Sequence, residues 1–494
     1  MKFTSLSFLG VLAFSTFASA TPFEHSETQN YIIQLDKTAT VDDFIPKFIQ
    51  DTTKFFHDLF EEVGEKIEDL IGRDDDPTGN NRIRVRQSYD LGGNFKALDV
   101  SLADDRILDK ILKGFAEVVA IIPDEVIQFE LPTPARLDKK TKKSKRYYIR
   151  PVKSGESTYN PGEQESQQPH QNRDAVSEAT YIEQPNAQWN LARISQQESN
   201  LTQPYIYDSR GGAGVTVYVV DDGVAVNHRD FEGRAKHGYS AYSNGKSGSS
   251  KKGSKTFGNS SQLKAKDPLD GGGHGTHVSG IIGGKQYGVA KNVSIVSVKV
   301  LSNEGQGTVS NLLGGIEWII NQEKNQTRPV LINMSLGMPD SSPGAKALND
   351  AISAAVEAGI PVFVAAGNSG SDACKIVPAG NSDVYTVGSV NKKDTFDDYS
   401  CYGKCVDILA PGKDITSAYI GGKNAKETMS GTSMASPHVA GVAALLLPGL
   451  EQGIKPKDLY SAITKISTSN KIDAIPNFVT PNKLLFNGQQ KTEK

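Results

Sequence analysis

The chain holds 494 residues, with 54 Lys and Arg against 57 Asp and Glu, for a formal net charge of −3. So near a balance leaves no electrostatic case for binding nucleic acid or a membrane surface. Its length allows several hundred residues in one well-buried core beside smaller segments.

The first element in chain order is a leader. Met1-Lys2 is followed by an apolar run to Phe17 and then by Ala18-Ser19-Ala20. This is the pattern of a secretory signal, residues 1–20, with a small-residue cleavage site. The run is too short to span a bilayer, and no other stretch approaches the required length, so a soluble mature protein without a membrane anchor is expected. Residues 21–136 then mix strand and helix. Tyr31 to Leu35 and Val118 to Pro123 read as strands, Asp42 to Leu70 as an amphipathic helix, and Asp74 to Asn81 as a polar loop.

Residues 137–179 form a linker. It opens on Lys139-Lys140-Thr141-Lys142-Lys143-Ser144-Lys145-Arg146 and continues polar, with Gln and Pro, to about Ser177. Such a segment is exposed and easily cut. Cleavage is expected between 147 and 183, and Lys145-Arg146 is a candidate processing site.

From residue 180 to the last residue the pattern changes to alternating strands and helices. Strands are expected around 215–220, 294–301, 329–335, 361–365 and 384–389. Helices are expected around 275–285, 309–323, 343–358, 432–447 and 456–465. That alternation implies an α/β fold, a mostly parallel sheet with helices on both faces. Val217-Tyr218-Val219-Val220 runs into Asp221-Asp222-Gly223, a β-branched strand ending in carboxylates and a turn. Functional groups collect at such strand ends. Ser240 to Lys266, rich in Ser, Gly and Lys, reads as a flexible basic surface loop. His274 follows, between Gly273 and Gly275 and ahead of a helix-like run. Gly431-Thr432-Ser433-Met434-Ala435-Ser436-Pro437-His438 delivers Ser433 to the start of an Ala-rich buried helix. Unpaired N–H groups and the positive end of the dipole there would stabilise an oxyanion.

Each segment alone is weak: a lone Ser is ordinarily an N-cap, a lone His a packed residue, an Asp after a strand a turn former. Together, Asp, His and Ser follow one of the known triad orders, that of subtilisin. A lipase or esterase elbow needs Gly two residues after its serine, where this chain has Ala435, and its triad order differs. A catalytically silent cell-wall or binding protein with a protease fold, blocked by its own propeptide, remains the alternative.

Over residues 180–488 the chain resembles the subtilisin-like serine endopeptidases, in the proteinase K and cerevisin branch of fungi. The resemblance rests on Ala187-Gln188-Trp189-Asn190-Leu191-Ala192-Arg193-Ile194-Ser195, Ile332-Asn333-Met334-Ser335-Leu336-Gly337, Ala365-Ala366-Gly367-Asn368, Val406-Asp407-Ile408-Leu409-Ala410-Pro411-Gly412 and Thr480 to Gly488, besides the three triad segments. It implies that Ser433 is the nucleophile, His274 the general base and acid, and Asp221 the group that orients the imidazole. Asn368 would donate its amide to the tetrahedral oxyanion, beside the Ser433 N–H. Gly305-Gln306-Gly307 and Ser335-Leu336-Gly337 resemble the two edges that pair with an extended polypeptide substrate. Small residues at Ala365, Ala366, Gly367, Ala379 and Gly380 imply a roomy pocket, hence broad specificity with an apolar preference before the scissile bond. The N-terminal domain would help the protease fold and act as its intramolecular inhibitor, making the chain a self-processing zymogen. A monomer is expected. No separate domain is expected after Gly488.

Two departures stand out. The family usually has Thr or Ser where this chain has Asp222. A second acid there suggests that Asp222 faces the next subsite and favours a basic residue. The stretch from Asp221 to His274 is longer than in this branch by the Ser240–Lys266 loop. No cofactor is required for catalysis. Asp407 is either the one side-chain ligand of a structural calcium or a surface Asp after a strand. Cys374, Cys401 and Cys405 allow three pairings, leaving one thiol over, and lack the fourth ligand of a zinc site. Val278 stands where proteinase K has a cysteine, so thiol reagents should inhibit little. Sequons occur at Asn200, Asn259, Asn292, Asn325 and Asn333. Asn200, Asn259 and Asn325 lie in polar surroundings, and Asn333 falls within a strand. The secretory route leaves vacuole lumen and cell exterior or wall both open.

Overall fold

The computed structural model describes residues 29–63, 83–103, 105–129, 131–132, 181–242, 271–324, 326 and 328–489. The expected signal, the Asp74–Asn81 loop, the 137–179 linker, most of the Ser240–Lys266 loop, Asn259 and Asn325 lie outside them.

The N-terminal part is a small α+β unit. Its elements are β1 (Gln29–Leu35), α1 (Val41–Val63), β2 (Ile83–Leu91), β3 (Phe95–Leu102), α2 (Leu108–Gly114) and β4 (Val118–Pro123). The strands form an antiparallel sheet in the order β2-β3-β1-β4. Alternation along β1 explains the two faces. Tyr31, Ile33 and Leu35 pack with Phe44, Phe48 and Phe56 of α1 and with Phe115. Ile32 points the other way and joins Tyr89, Leu91, Phe95 and Ala97 in the core of the larger unit.

A short strand β5 (Ile127–Gln128) leads out of this unit. The larger unit begins with β6 (Tyr181–Gln184), α3 (Trp189–Ile194), β7 (Tyr205–Asp208), β8 (Thr216–Asp221), β9 (Ala235–Ser240), α4 (His274–Gly283), β10 (Ser294–Lys299) and β11 (Gln306–Gly307). It continues with α5 (Val309–Glu323), β12 (Val330–Met334), β13 (Met338–Pro339), α6 (Ala345–Glu357), β14 (Val362–Ala365), β15 (Ile376–Val377) and β16 (Tyr385–Val390). It ends with β17 (Ile408–Pro411), β18 (Ile415–Ala418), β19 (Lys426–Met429), α7 (Thr432–Leu446), α8 (Pro456–Ile466), β20 (Thr468–Ser469) and β21 (Lys483–Leu484).

Nine of these strands form one sheet in the order β20-β21-β17-β16-β14-β12-β8-β10-β9, parallel except for β20. β8 is an interior strand, third from the β9 edge, and all six of its residues are buried, as a β-branched strand covered on both faces requires. One core cluster packs α4 and α7 on one face, and a second packs α5 and α6 on the other. α7 is buried from Thr432 to Leu445. Its small residues allow a close approach: a Cβ at Gly441 would lie 2.6 Å from the Val289 Cβ. Each aliphatic side chain buried here stabilises by about 1.5–3 kcal/mol.

Candidate active site

Three segments meet at the carboxyl ends of the neighbouring strands β8 and β12. β8 delivers Asp221, which is fully buried. The first residue of α4 is His274, whose Nδ1 lies 2.9 and 3.0 Å from the two Asp221 carboxylate oxygens. Burial disfavours the imidazolium, but the Asp221 charge and hydrogen bond outweigh it, with Asp222 adding to them. His274 is therefore held above its usual pKa. Its Nε2 is buried with no hydrogen-bond partner among the described residues.

Ser433 lies in the first turn of α7. Its hydroxyl donates to the Ser335 carbonyl oxygen at 3.2 Å, so the expected hydrogen bond to His274 is not made in this state. Catalytic hydrogen bonds often tighten only with substrate. Pro437, four residues on, has no N–H to give the Ser433 carbonyl. Ser335 Oγ takes that place at 3.1 Å. Asn333 Nδ2 donates to the same Ser335 hydroxyl at 2.9 Å, and Asn333 Oδ1 accepts from Ser436 Oγ at 2.9 Å. β12 is thereby bolted to the helix that carries Ser433. Asn333, fully buried in that bolt, has no room for a glycan.

Asn368 follows β14. Its Oδ1 accepts from Thr432 N at 2.8 Å and from Thr432 Oγ1 at 3.0 Å. With the oxygen pinned there, the amide nitrogen is turned away from Thr432. Ala365 and Ala366 are buried beside it. A Cβ at Gly337 would lie 3.0 Å from Ile376 Cγ2, and one at Gly367 3.0 Å from Cys401 Sγ. These two glycines therefore serve packing of the wall as well as any space in front of it.

The cleft edge is occupied. β5 pairs antiparallel with β11, Gln128 opposite Gln306 and Ile127 opposite Gly307. Phe129 N donates to the Gly305 carbonyl at 3.0 Å, and Gln128 Nε2 donates to the Glu304 carbonyl at 3.0 Å. Pro132 reaches the nucleophile's turn, where a Cβ on Gly431 would lie 2.6 Å from its Cγ. Leu336, on the opposite edge, is buried.

The expectation for Asp222 fails. The residue is 1% exposed, and both carboxylate oxygens accept backbone N–H groups at the start of α4, so it does not face a subsite. Those N–H groups have no partner within the helix, and a neighbouring carboxylate satisfies them. Sequence reasoning also missed Lys299, a buried lysine at the end of β10 bonded to the Asp222 carbonyl oxygen. Thr432 and Pro437 were legible only as motif residues. So was His438, whose Nδ1 donates to Met434 O at 2.8 Å. Its Nε2 thus accepts from Asn190 of α3 at 2.8 Å.

Cys374 and Cys405 form a disulfide, and Cys401 is a buried free thiol. Asn200 and Asn292 are exposed, although the Asn292 amide already donates to Arg210 O at 3.1 Å. Among the described residues, no group of three or more His, Cys, Asp or Glu could hold a metal ion, and no helix is long and apolar enough to cross a membrane. Asp407 accepts from Thr386 N at 2.7 Å, and burial pushes its pKa up to about 6. It is a single, poorly compensated carboxylate, so a calcium ion beside it would take its other ligands from backbone carbonyls and water.

The sequence model of the subtilase family, a peptidase family, matches residues 212–479, more than half of the chain. The chain belongs to the subtilase family. Cerevisin of Saccharomyces cerevisiae is 41% identical to this subtilase over 338 residues, 64% of the chain and 49% of the relative. Subtilisin-like protease 1 of Trichophyton rubrum is 43% identical over 309 residues, 62% of the chain and 55% of the relative. The match thus spans about half the length of these two relatives. The crystal structure of a cold adapted subtilisin-like serine proteinase is 40% identical, covers 61% of this chain and 98% of its own, and superposes with a TM-score of 0.52. The α/β architecture expected from the alternating elements is that of this subtilase.

Proposed function

We propose that this subtilase is a serine endopeptidase made as a self-processing zymogen. The observation that carries the proposal is the doubly hydrogen-bonded Asp221–His274 pair beside Ser433 at a buried helix start. Ser433 Oγ attacks the substrate carbonyl while His274 Nε2 takes its proton. The tetrahedral oxyanion is held by Asn368 Nδ2 and the Ser433 N–H. His274 returns the proton to the leaving amine, giving an acyl-enzyme that water then hydrolyses by the same route. Gly305–Gly307 and Ser335–Gly337 take the substrate backbone. A small-residue wall at Ala366 and Gly367 gives broad specificity with an apolar preference.

In the intact chain residues 21–136 are the propeptide. β5 pairs with β11, and Pro132 lies against Gly431, where a substrate would run. The same contact supports the second reading, a permanently silent protein blocked by its own N-terminal unit. Autocleavage between residues 147 and 183, with loss of the N-terminal unit, separates the two. The signal sends the chain along the secretory pathway to the vacuole lumen or the exterior, and Asn200, Asn259, Asn292 and Asn325 are candidate glycosylation sites on that route. Asp407 is proposed as the carboxylate ligand of a structural calcium with no part in the chemistry. The test is hydrolysis of peptide amides by the mature chain. Activity lost in Ser433→Ala supports the endopeptidase, and no hydrolysis by the wild type, or equal hydrolysis by the variant, contradicts it.

A further inference from the structure

β8 ends in Asp221, and a second carboxylate, Asp222, stands at the bend just after it. Asp221 takes the imidazole of His274. Asp222 meets the segment Gly271–Gly275. Its Oδ2 accepts from Gly272 N at 2.9 Å and from His274 N at 3.2 Å, and its Oδ1 accepts from Gly275 N at 2.8 Å. The N-cap of α4 is Gly273, which has no side chain to cap the helix. Asp222 supplies the cap from the bend after β8, where the helix dipole also favours a negative charge.

The rest of Asp222 is held as firmly. Its N–H donates to Asp221 Oδ1 at 2.7 Å. Its carbonyl oxygen is bonded by the Lys299 ammonium, which also donates to Leu301 O and to Asn303 Oδ1, both at 2.9 Å. Glycines around the carboxylate leave room for nothing larger. A Cβ at Gly272 would lie 2.1 Å from Asn303 O and 2.9 Å from Asp222 Oδ2, and one at Gly275 would lie 3.0 Å from Asp222 Oδ1.

We infer, resting on the endopeptidase reading above, that Asp222 is a positioning residue for the catalytic histidine. One residue fixes both partners of the Asp221–His274 bond. Its amide orients the carboxylate, and its side chain pins the first residue of the helix that carries the imidazole.

The groups facing Asp222 are Asp221 at the end of β8, His274 on α4 and Lys299 on β10. Glu304 lies near Lys299, and the Tyr419 hydroxyl donates to Gly272 O at 3.3 Å. Burial, and then the Asp221 charge, push the Asp222 pKa up to about 7, against His274, the Gly275 N–H and Lys299. Ionised Asp222 helps to hold the His274 pKa up. A neutral residue in its place therefore lowers that pKa.

The experiment uses mature enzyme carrying Asp222→Asn, with working sites counted by a fluorophosphonate. Two peptide amides are compared that differ in Arg or Ala one position before the residue at the cut. The wild type and Ser433→Ala settle the endopeptidase reading; only the ratio of Asp222→Asn to wild type bears on Asp222. The expected result is a kcat lower by about tenfold to a hundredfold, the scale of a small misplacement of a catalytic group. KM changes little, both substrates lose the same factor, and the acid limb of kcat/KM moves to lower pH. Unchanged kcat with an unmoved acid limb overturns the inference, and so does a loss confined to the Arg substrate, which makes Asp222 a specificity residue. If Asp222→Asn does not mature, Asp222→Ser is read the same way. In the inert Ser433→Ala chain the His274 imidazole, followed by NMR, titrates at lower pH when Asp222→Asn is added. An unmoved titration there also overturns the inference.

Discussion

The two units of the chain solve burial differently. In the larger unit the parallel sheet is covered on both faces by helices of that unit, and its two core clusters close around β8, β12 and β14. The small unit covers only one face of its sheet, with α1 and the aromatic cluster of Phe44, Phe48 and Phe115. Its other face, with Tyr89, Leu91, Phe95 and Ala97, finds its core only against α5 and α6. Polar contacts follow the same seam. Ser310 N donates to Asp124 at 2.9 Å, Asp90 N to Glu317 at 3.0 Å, and Gln34 Nε2 to Asp350 at 2.8 Å. A unit that lends half its sheet to a neighbour is built as a binding partner, while the neighbour that carries the site is complete in itself.

The largest effects should fall on the complete unit. Ser433→Ala is expected to lower kcat by about 10⁵- to 10⁶-fold, and Asn368→Ala by about 10²- to 10³-fold. Neither should shift the melting temperature much, and burst kinetics with a peptide ester checks both. On the shared face, Phe95→Ala should weaken inhibition by the small unit supplied in trans by about 10²-fold or more, since truncating a buried Phe costs about 3–5 kcal/mol. An unchanged inhibition constant would break the comparison, because the small unit would then not depend on that seam.

The pH profile gives a smaller effect. His274 is held above the free imidazole value, so the neutral base is lost as pH falls through that raised value, and kcat/KM drops about tenfold per unit below it. For folding the sign is opposite. The charged pair stabilises most below the free imidazole value, and that stability is lost as pH rises through the folded one. Smallest is metal removal. A calcium ion at Asp407 needs the ionised carboxylate, which burial disfavours below about pH 6. Chelation should therefore lower the melting temperature at pH 8, and hardly at pH 5. Equal melting curves at pH 8 with and without chelator would remove the ion.

Long buried elements were legible in the sequence because periodicity and length agree. The helix expected over 309–323 is α5, and the strand around 384–389 is β16. β9, β20 and β21 were not, because an edge strand such as Ala235–Ser240 is half-buried and the other two are two residues each. The three segments that carry Asp221, His274 and Ser433 were legible from their motifs. The direction of Asp222 was not: it stands at the bend after β8, and only the docking of α4 decides what its carboxylate meets. The cysteine pairing was open for the same reason, until the fold brought the Cα atoms of Cys374 and Cys405 to 5.3 Å.

The central claim is that Ser433 matures its own chain. Intact mass spectrometry of the expressed wild type beside Ser433→Ala tests it most directly. Loss of the N-terminal unit between residues 147 and 183 in the wild type alone is the predicted result. The same processing of the two chains, both cut or both whole, would contradict it.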